Sequence, residues 1–186
     1  DYITLNISSP NTDGLRDFHE EQKLKDLLLM LNKIKKENKT NIPLLIKISP
    51  DISDDYIPDI TDIALKNDIS GLILTNTTIS HRDKLINKFK KEEGGLSGEP
   101  LQQISTNIIK KFYKQLNGKI PIIGVGGINS GKSAYEKIIA GASLLQLYTG
   151  LVYKGPSLVK NIKKELIQIL KEDGLNNIKE AIGKSL

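Results

Sequence analysis

The chain has 186 residues and a formal net charge of +5, with 38% hydrophobic and 26% charged residues, the make-up of one globular domain with a substantial core. Cysteine is absent, which excludes a disulfide scaffold, a thiolate zinc site and a cysteine nucleophile. No apolar run approaches the roughly 18 residues of a membrane span, and the first residues do not read as a signal peptide.

Predicted strands and helices alternate along the chain. Tyr2–Ser8 predicts the first strand, and Glu21–Glu37 follows with Leu24, Leu27, Leu28, Leu31 and Ile34 at helical spacing. Pro43–Ser49 predicts the second strand. Ser53–Asn67 opens on a Ser-Asp cap signal and sets Ile57, Ile60, Ile63 and Ala64 along one side of a helix. Gly71–Thr77 predicts the third strand. The connection Ile79–Pro100 is polar, charged and glycine-containing, and a loop of that length inside a compact domain is functional or mobile. Leu101–Leu116 predicts a helix, Pro121–Gly126 a strand, Ser130–Ala140 a helix, Ser143–Thr149 a strand and Ser157–Leu170 a helix, with a short last helix near Leu175–Ile182. The near-continuous apolar character of the strand segments predicts burial on both faces, and strict alternation predicts parallel βαβ units in an α/β fold.

All but two of the 27 basic residues are lysines, the exceptions being Arg16 and Arg82. They are scattered through helical segments such as Lys33-Ile34-Lys35-Lys36 and are not interleaved with aromatics in one patch, which fits solvated helix faces better than a nucleic-acid surface.

Polar residues gather where the strands end. The first finishes in Asn6, Ser8 and Ser9; the second contains Lys47; the third ends Thr75-Asn76-Thr77-Thr78; the fourth runs into Gly124, Gly126 and Gly127; the fifth contains Gln146, Tyr148, Thr149 and Gly150. The carboxyl ends of parallel strands line the ligand site in such proteins, so one polar site is expected there. Lys47 interrupts an apolar run with a charge that is costly to bury unpaired; a snorkelling or salt-bridged lysine is the alternative to a ligand-facing one.

Gly126-Gly127-Ile128-Asn129-Ser130-Gly131-Lys132-Ser133 matches the phosphate-cradling pattern G-x-x-x-x-G-K-[ST] between a strand and a helix. A nucleotidase built on it also needs a strand ending in a metal-binding Asp. None of the five strands ends so; the nearest candidate, Asp51, lies past Ser49-Pro50.

The segment Asn6-Ile7-Ser8-Ser9-Pro10-Asn11-Thr12-Asp13-Gly14-Leu15-Arg16 closely resembles the active-site segment of the class 2, quinone-linked dihydroorotate dehydrogenases. The resemblance continues in family order through Lys47 in LLIKISPD, Thr75-Asn76-Thr77-Thr78, Gly94-Gly95-Leu96-Ser97-Gly98, Gly124-Val125-Gly126-Gly127-Ile128 and Ala142–Thr149, and the tail Asn177–Gly183 also looks like the family's C-terminus. It implies a (β/α)8 TIM barrel that binds FMN at the carboxyl ends of its strands, with residues 1–186 covering about the last five βα units. On that expectation the first three units, a substrate-binding asparagine loop and the helical extension that receives quinone lie outside the chain, which begins Asp1-Tyr2-Ile3-Thr4 without Met and already inside a strand.

The resemblance also implies roles. Ser9 is the base that removes the C5 proton of dihydroorotate; class 1 relatives place cysteine there. Asn6, Asn11, Asn76 and Thr77 match substrate contacts, amides suiting the imide edge of a pyrimidine. Asn6, Lys47 and Thr75 match flavin contacts, and Ser97, Gly98, Gly126, Gly127, Tyr148 and Thr149 match positions that hold the ribityl chain and phosphate. No metal site is expected; His19 and His81 are expected at the surface. Two positions depart from the family pattern: Asp13 stands where proline is typical, and Thr149 replaces a serine but keeps the hydroxyl. The implied activity is FMN-dependent oxidation of dihydroorotate to orotate in pyrimidine synthesis, with electrons passed to quinone at a bacterial or mitochondrial inner membrane. The alternatives are a P-loop NTPase using Gly126–Ser133 and a non-catalytic basic half-barrel.

Overall fold

The computed structural model of the chain describes residues 1–80, 82, 85, 86, 88 and 90–186. Five strands, β1 (Ile3–Asn6), β2 (Leu44–Ile48), β3 (Gly71–Leu74), β4 (Ile122–Val125) and β5 (Leu144–Gln146), form one parallel sheet in sequential order. Helices α1 (Glu21–Glu37), α2 (Tyr56–Lys66), α3 (Gln102–Leu116), α4 (Gly131–Ile139), α5 (Thr149–Lys154) and α6 (Ser157–Glu172) connect and follow them, with 3-10 turns at Leu15–His19, Glu99–Leu101 and Ile178–Ala181.

The two-residue period of a strand divides the sheet into two faces. Leu44, Ile46, Ile48, Leu72, Leu74 and Ile122 point to the helix side, where they meet Leu24 and Leu28 of α1, Ile57, Ile60 and Ile63 of α2, and Ile108, Ile109 and Phe112 of α3. Full burial of each such side chain contributes about 1.5–3 kcal/mol, so this layer holds the fold. Leu45, Ile73 and Ile123 form a smaller cluster on the opposite face, joined by Val125. Ile128, Ala134, Leu158 and Ile162 seal α4 against α6. The edge strands reach toward each other across the sheet: Gln146 Nε2 donates to Tyr2 Oη at 3.0 Å. A sequential parallel sheet with helices outside is the arrangement of part of a TIM barrel.

Helix α1 falls on its predicted bounds, and Ile57, Ile60, Ile63 and Ala64 are buried as predicted. The strands are shorter than their apolar runs, because pairing stops where each chain turns toward the site. Burial on both faces holds for β2 and β3 but not for β1 and β5, which lie at the sheet's edges with Ile3 and Leu144 more than half exposed. The last predicted helix is a single 3-10 turn, and α5 and the Leu15–His19 turn are additional elements. His19, expected at the surface, is buried at 7% exposure; His81 lies outside the described residues.

Candidate active site

The carboxyl ends of the strands bring most of the predicted residues to one place. Asn76, just past β3, donates from Nδ2 to Asn6 Oδ1 at 3.1 Å and to Ser8 Oγ at 3.1 Å, while its Oδ1 accepts the Thr77 amide at 2.8 Å. Ser8 Oγ in turn donates to Asn6 Oδ1 at 3.0 Å. Three side chains from two non-adjacent strands thereby hold one another in fixed orientation. Ser9 follows on a partly exposed loop, where its Oγ accepts the Asn11 amide at 3.3 Å.

Lys47 stands on β2, between the β1 and β3 strands that carry these residues, and lines the same site. It is half-buried, with no hydrogen-bond or ion-pair partner among the described residues, and burial lowers its pKa from the ordinary lysine value. The salt-bridged alternative is therefore absent from this structure.

The long connection after β3 returns as a short antiparallel bridge, Thr78 pairing with Leu96 through amide–carbonyl bonds of 3.1 and 2.7 Å. This lays Gly95 on Thr77 so closely that an added Cβ would sit 1.8 Å from Thr77 Oγ1. Beyond it, Ser97 Oγ accepts from Thr149 Oγ1 at 2.9 Å. After β4 the chain turns through Gly126 (φ 115°) and Gly127 (φ 74°), and a Cβ on Gly127 would lie 2.6 Å from Gln102 Cα. Glycine is required here on two counts, left-handed φ and contact with the first turn of α3.

These elements enclose a cavity of about 1030 Å³ lined by Lys47, Thr75, Asn76, Thr77, Ser97, Gly98, Gly126, Gly127, Gln146, Tyr148 and Thr149, among others. Asn6, Ser9 and Asn11 do not line it; Asn6 joins it through Asn76. Residues 1–170 match the family model described as "Dihydroorotate dehydrogenase". The chain belongs to the dihydroorotate dehydrogenase family.

Curated relatives bear the name dihydroorotate dehydrogenase (quinone), two of which illustrate the likeness. The mitochondrial protein of Arabidopsis thaliana is 47% identical over 98% of this chain and 41% of its own length; that of Bartonella tribocorum is 46% identical over 97% and 51%. The crystal structure of the Eimeria tenella dihydroorotate dehydrogenase with ferulenol superposes with a TM-score of 0.92 at 39% identity, over 100% of this chain and 54% of that one. The chain spans about half the length of the relatives it matches.

Within this dihydroorotate dehydrogenase scaffold, the P-loop reading fails on geometry. Ser133 is buried in a capping box, its Oγ accepting the Asn129 and Ser130 amides at 2.9 and 3.0 Å, and is not free to bind a metal. Glu165 accepts the Gly131 amide, so the protein's own carboxylate fills the anion position at the start of α4. Lys132 points to solvent, and Asp51 is engaged by Arg16, Thr78 and Ile79. Among the described residues no cluster of His, Asp or Glu is arranged to hold a metal.

The chemistry of the donors lining the cavity suits a flavin cofactor. Its lining combines a lysine unpaired among the described residues with the Gly126-Gly127 turn and the hydrogen-bonded hydroxyls of Ser97 and Thr149. Tyr148 lies 80% exposed, so its side chain adds little enclosure.

Sequence reasoning assigned no role to two supports beneath these residues. Ser8 is fully buried in the asparagine network. Lys137, also fully buried, donates to Gln102 O at 3.1 Å, Ser105 Oγ at 3.2 Å and Thr106 Oγ1 at 2.9 Å, while Ser105 Oγ donates to Val125 O. Burial pushes the Lys137 pKa down to about 7. This lysine ties α4 to the first turn of α3, directly under the Gly126-Gly127 turn. The available signal was a charge among the apolar positions of α4, read there as a solvated face.

Proposed function

We propose that residues 1–186 form the FMN- and dihydroorotate-binding part of a single barrel domain that oxidises dihydroorotate to orotate and passes the electrons to quinone. The observation that carries this reading is a Lys47 amine without a partner among the described residues, in a cavity also lined by Thr75, Asn76, Thr77 and the Gly126-Gly127 turn.

FMN supplies the hydride acceptor when bound. Lys47 would hold the flavin ring by presenting a cation to it, and in a half-buried site that electrostatic stabilisation would be weakly screened. Thr75 lines the cavity beside it, and Ser97, Gly98, Gly126, Gly127, Tyr148 and Thr149 surround the ribityl and phosphate end, the glycines by backbone approach. Asn6, Asn11, Asn76 and Thr77 bind the pyrimidine through donors and acceptors together. The Asn76–Asn6–Ser8 bonds orient these amides before substrate arrives, which reduces the ordering cost of binding.

Ser9 takes the C5 proton. A serine hydroxyl is a weak base, so the proton must leave through hydrogen-bonded neighbours in a site closed to bulk water. Its position on a loop beside the asparagine network suits that task, since loop movement can expose and then cover it. Quinone and a membrane surface complete the reading for the intact protein; no helix among the described residues is long and apolar enough to cross a membrane.

The full-length protein should purify yellow, with a flavin spectrum that bleaches on anaerobic addition of dihydroorotate. A colourless protein that binds Mg-ATP tightly in calorimetry would sink this reading in favour of the nucleotidase.

A further inference from the structure

Asp51 was weighed from sequence as a metal-binding strand end and has no such role here. Its carboxylate lies just past β2, with a side chain only 11% exposed, and it faces three partners from two other loops. Arg16 Nη2 approaches Oδ2 at 3.1 Å; the Ile79 amide donates to Oδ2 at 3.0 Å; the Thr78 hydroxyl donates to Oδ1. Thr78 is itself fully buried, accepts the Ser80 amide on Oγ1 at 3.0 Å, and pairs with Leu96.

We infer that the Arg16–Asp51–Thr78 cluster is a positioning clamp that sets the Ser9 loop against the Asn76-Thr77 segment for catalysis. Arg16 closes the loop that starts at Ser9; Thr78 and Ile79 follow Asn76 and Thr77 without a break; Asp51 is the common anchor between them. One carboxylate thus fixes the separation of two loops whose other ends carry the proposed base and two proposed substrate contacts. Through the Thr78–Leu96 bridge it also fixes the Gly94–Gly98 segment, and with it Gly95 on Thr77.

The chemistry favours a clamp over an ordinary surface ion pair. The pair is largely shielded from solvent, with Arg16 and Asp51 side chains 25% and 11% exposed, where exposed pairs contribute little. The Thr78 hydroxyl and the Ile79 amide give the Asp51 carboxylate directional charge-assisted hydrogen bonds, and removing Arg16 or Asp51 leaves the other's shielded charge uncompensated. Arg16 Nε and Nη2 are both buried without a hydrogen-bond partner, so the contact with Asp51 is a close ion pair, and Arg16 lines a pocket of about 260 Å³ with His19, Ser53 and Tyr56. The guanidinium is therefore held by Asp51 alone among the described residues, which makes its position depend on this contact. A misplacement of about 1 Å between base and substrate costs on the order of 100-fold in rate, so an anchor remote from the reacting atoms controls kcat.

The clamp as a catalytic device rests on the function proposed above, so its test reads both activity and structure in the full-length holoprotein. Arg16→Gln should lower the limiting rate of flavin reduction by dihydroorotate at saturating substrate by about tenfold or more, with FMN content unchanged. Arg16→Lys, which keeps the charge and is the gentler change, should recover part of the rate. The double variant Arg16→Gln/Asp51→Asn should be no slower than the slower single variant, since the two act as one unit. Hydrogen exchange should show peptides covering 9–16 and 78–80 losing protection together in either single variant. Limiting rates within twofold of the parent for both Arg16 variants, or fully additive losses in the double, overturn the positioning role. Loss of protection confined to the mutated segment overturns the clamp itself. A parent protein whose flavin dihydroorotate does not reduce refutes the proposed function instead, and the exchange pattern still decides the clamp.

Discussion

Glu165 on α6 accepts the backbone amide of Gly131, the first residue of α4. A Cβ on Gly131 would lie 2.2 Å from the Glu165 Cβ, so the two helices meet at this point without room for a ligand. The helix end that matches a nucleotide-binding pattern is closed by the protein's own side chain. A carboxylate there is favourable, because it satisfies an unpaired amide and opposes the positive end of the helix dipole. Glu165→Ala should therefore cost about 1 kcal/mol, a fall in Tm of about 2–4 °C by calorimetry. Lys132→Ala, at an exposed position, should leave Tm within error, and neither protein should bind Mg-ATP in titration calorimetry.

Ser9→Ala removes the proposed base without touching the asparagine network, since among the described residues the one bond of Ser9 Oγ is from the Asn11 amide. Rapid-mixing absorbance should show flavin reduction by dihydroorotate slowed by about 10²–10⁴-fold with FMN still bound. Unchanged kinetics would remove Ser9 from that role.

Lys47→Ala should weaken FMN retention and slow reduction together, because the same amine serves binding and the developing charge. Stability should hold or rise slightly: the lysine is half-buried without a partner, and its lowered pKa marks an unfavourable charge in the folded chain. Normal flavin content with a normal reduction rate would exclude the assignment. A large drop in Tm would show that Lys47 supports the fold.

His19 gives a pH signature. Burial, and next the Arg16 charge, lower its pKa from 6.5 to about 4, and its Nε2 is buried without a hydrogen-bond partner among the described residues. The unfolded chain therefore binds a proton that the folded chain refuses between those values. The stability this group confers is complete above pH 6.5 and is lost as pH falls through 4, by at most about 3 kcal/mol. His19→Gln should flatten that part of the acid limb in urea unfolding between pH 4 and 7. An unchanged slope would place the acid sensitivity in other groups.

Much of the site was legible as strand-end chemistry. Asn6, Lys47, Thr75, Asn76, Thr77 and the Gly126-Gly127 turn interrupt apolar runs at the points where parallel strands deliver ligand contacts, and the structure gathers them around one cavity or its asparagine network. Helix α1 and the buried side of α2 followed from apolar spacing, because a 3.6-residue period leaves a local trace. The same local reading misjudged His19 and Lys137 and left the Gly126–Ser133 pattern open as an alternative. Each looks polar or motif-like within its own segment, and each is decided by a neighbour from elsewhere: Glu165 on Gly131, the packing around His19, and the oxygens of Gln102, Ser105 and Thr106 around Lys137.

What the sequence by itself determined is the alternation of elements, the parallel sheet and the polar strand ends, since each depends on the chemistry of a few neighbouring residues. Only the tertiary structure decided which polar groups are partnered. Asp51 became an anchor for Arg16 and Thr78, while Lys47 was left unpaired in the cavity. Such pairings close over long chain separations, and periodicity carries no information about them. The physical reason is that burial sets the cost of a charge, and burial is a property of the whole packed chain.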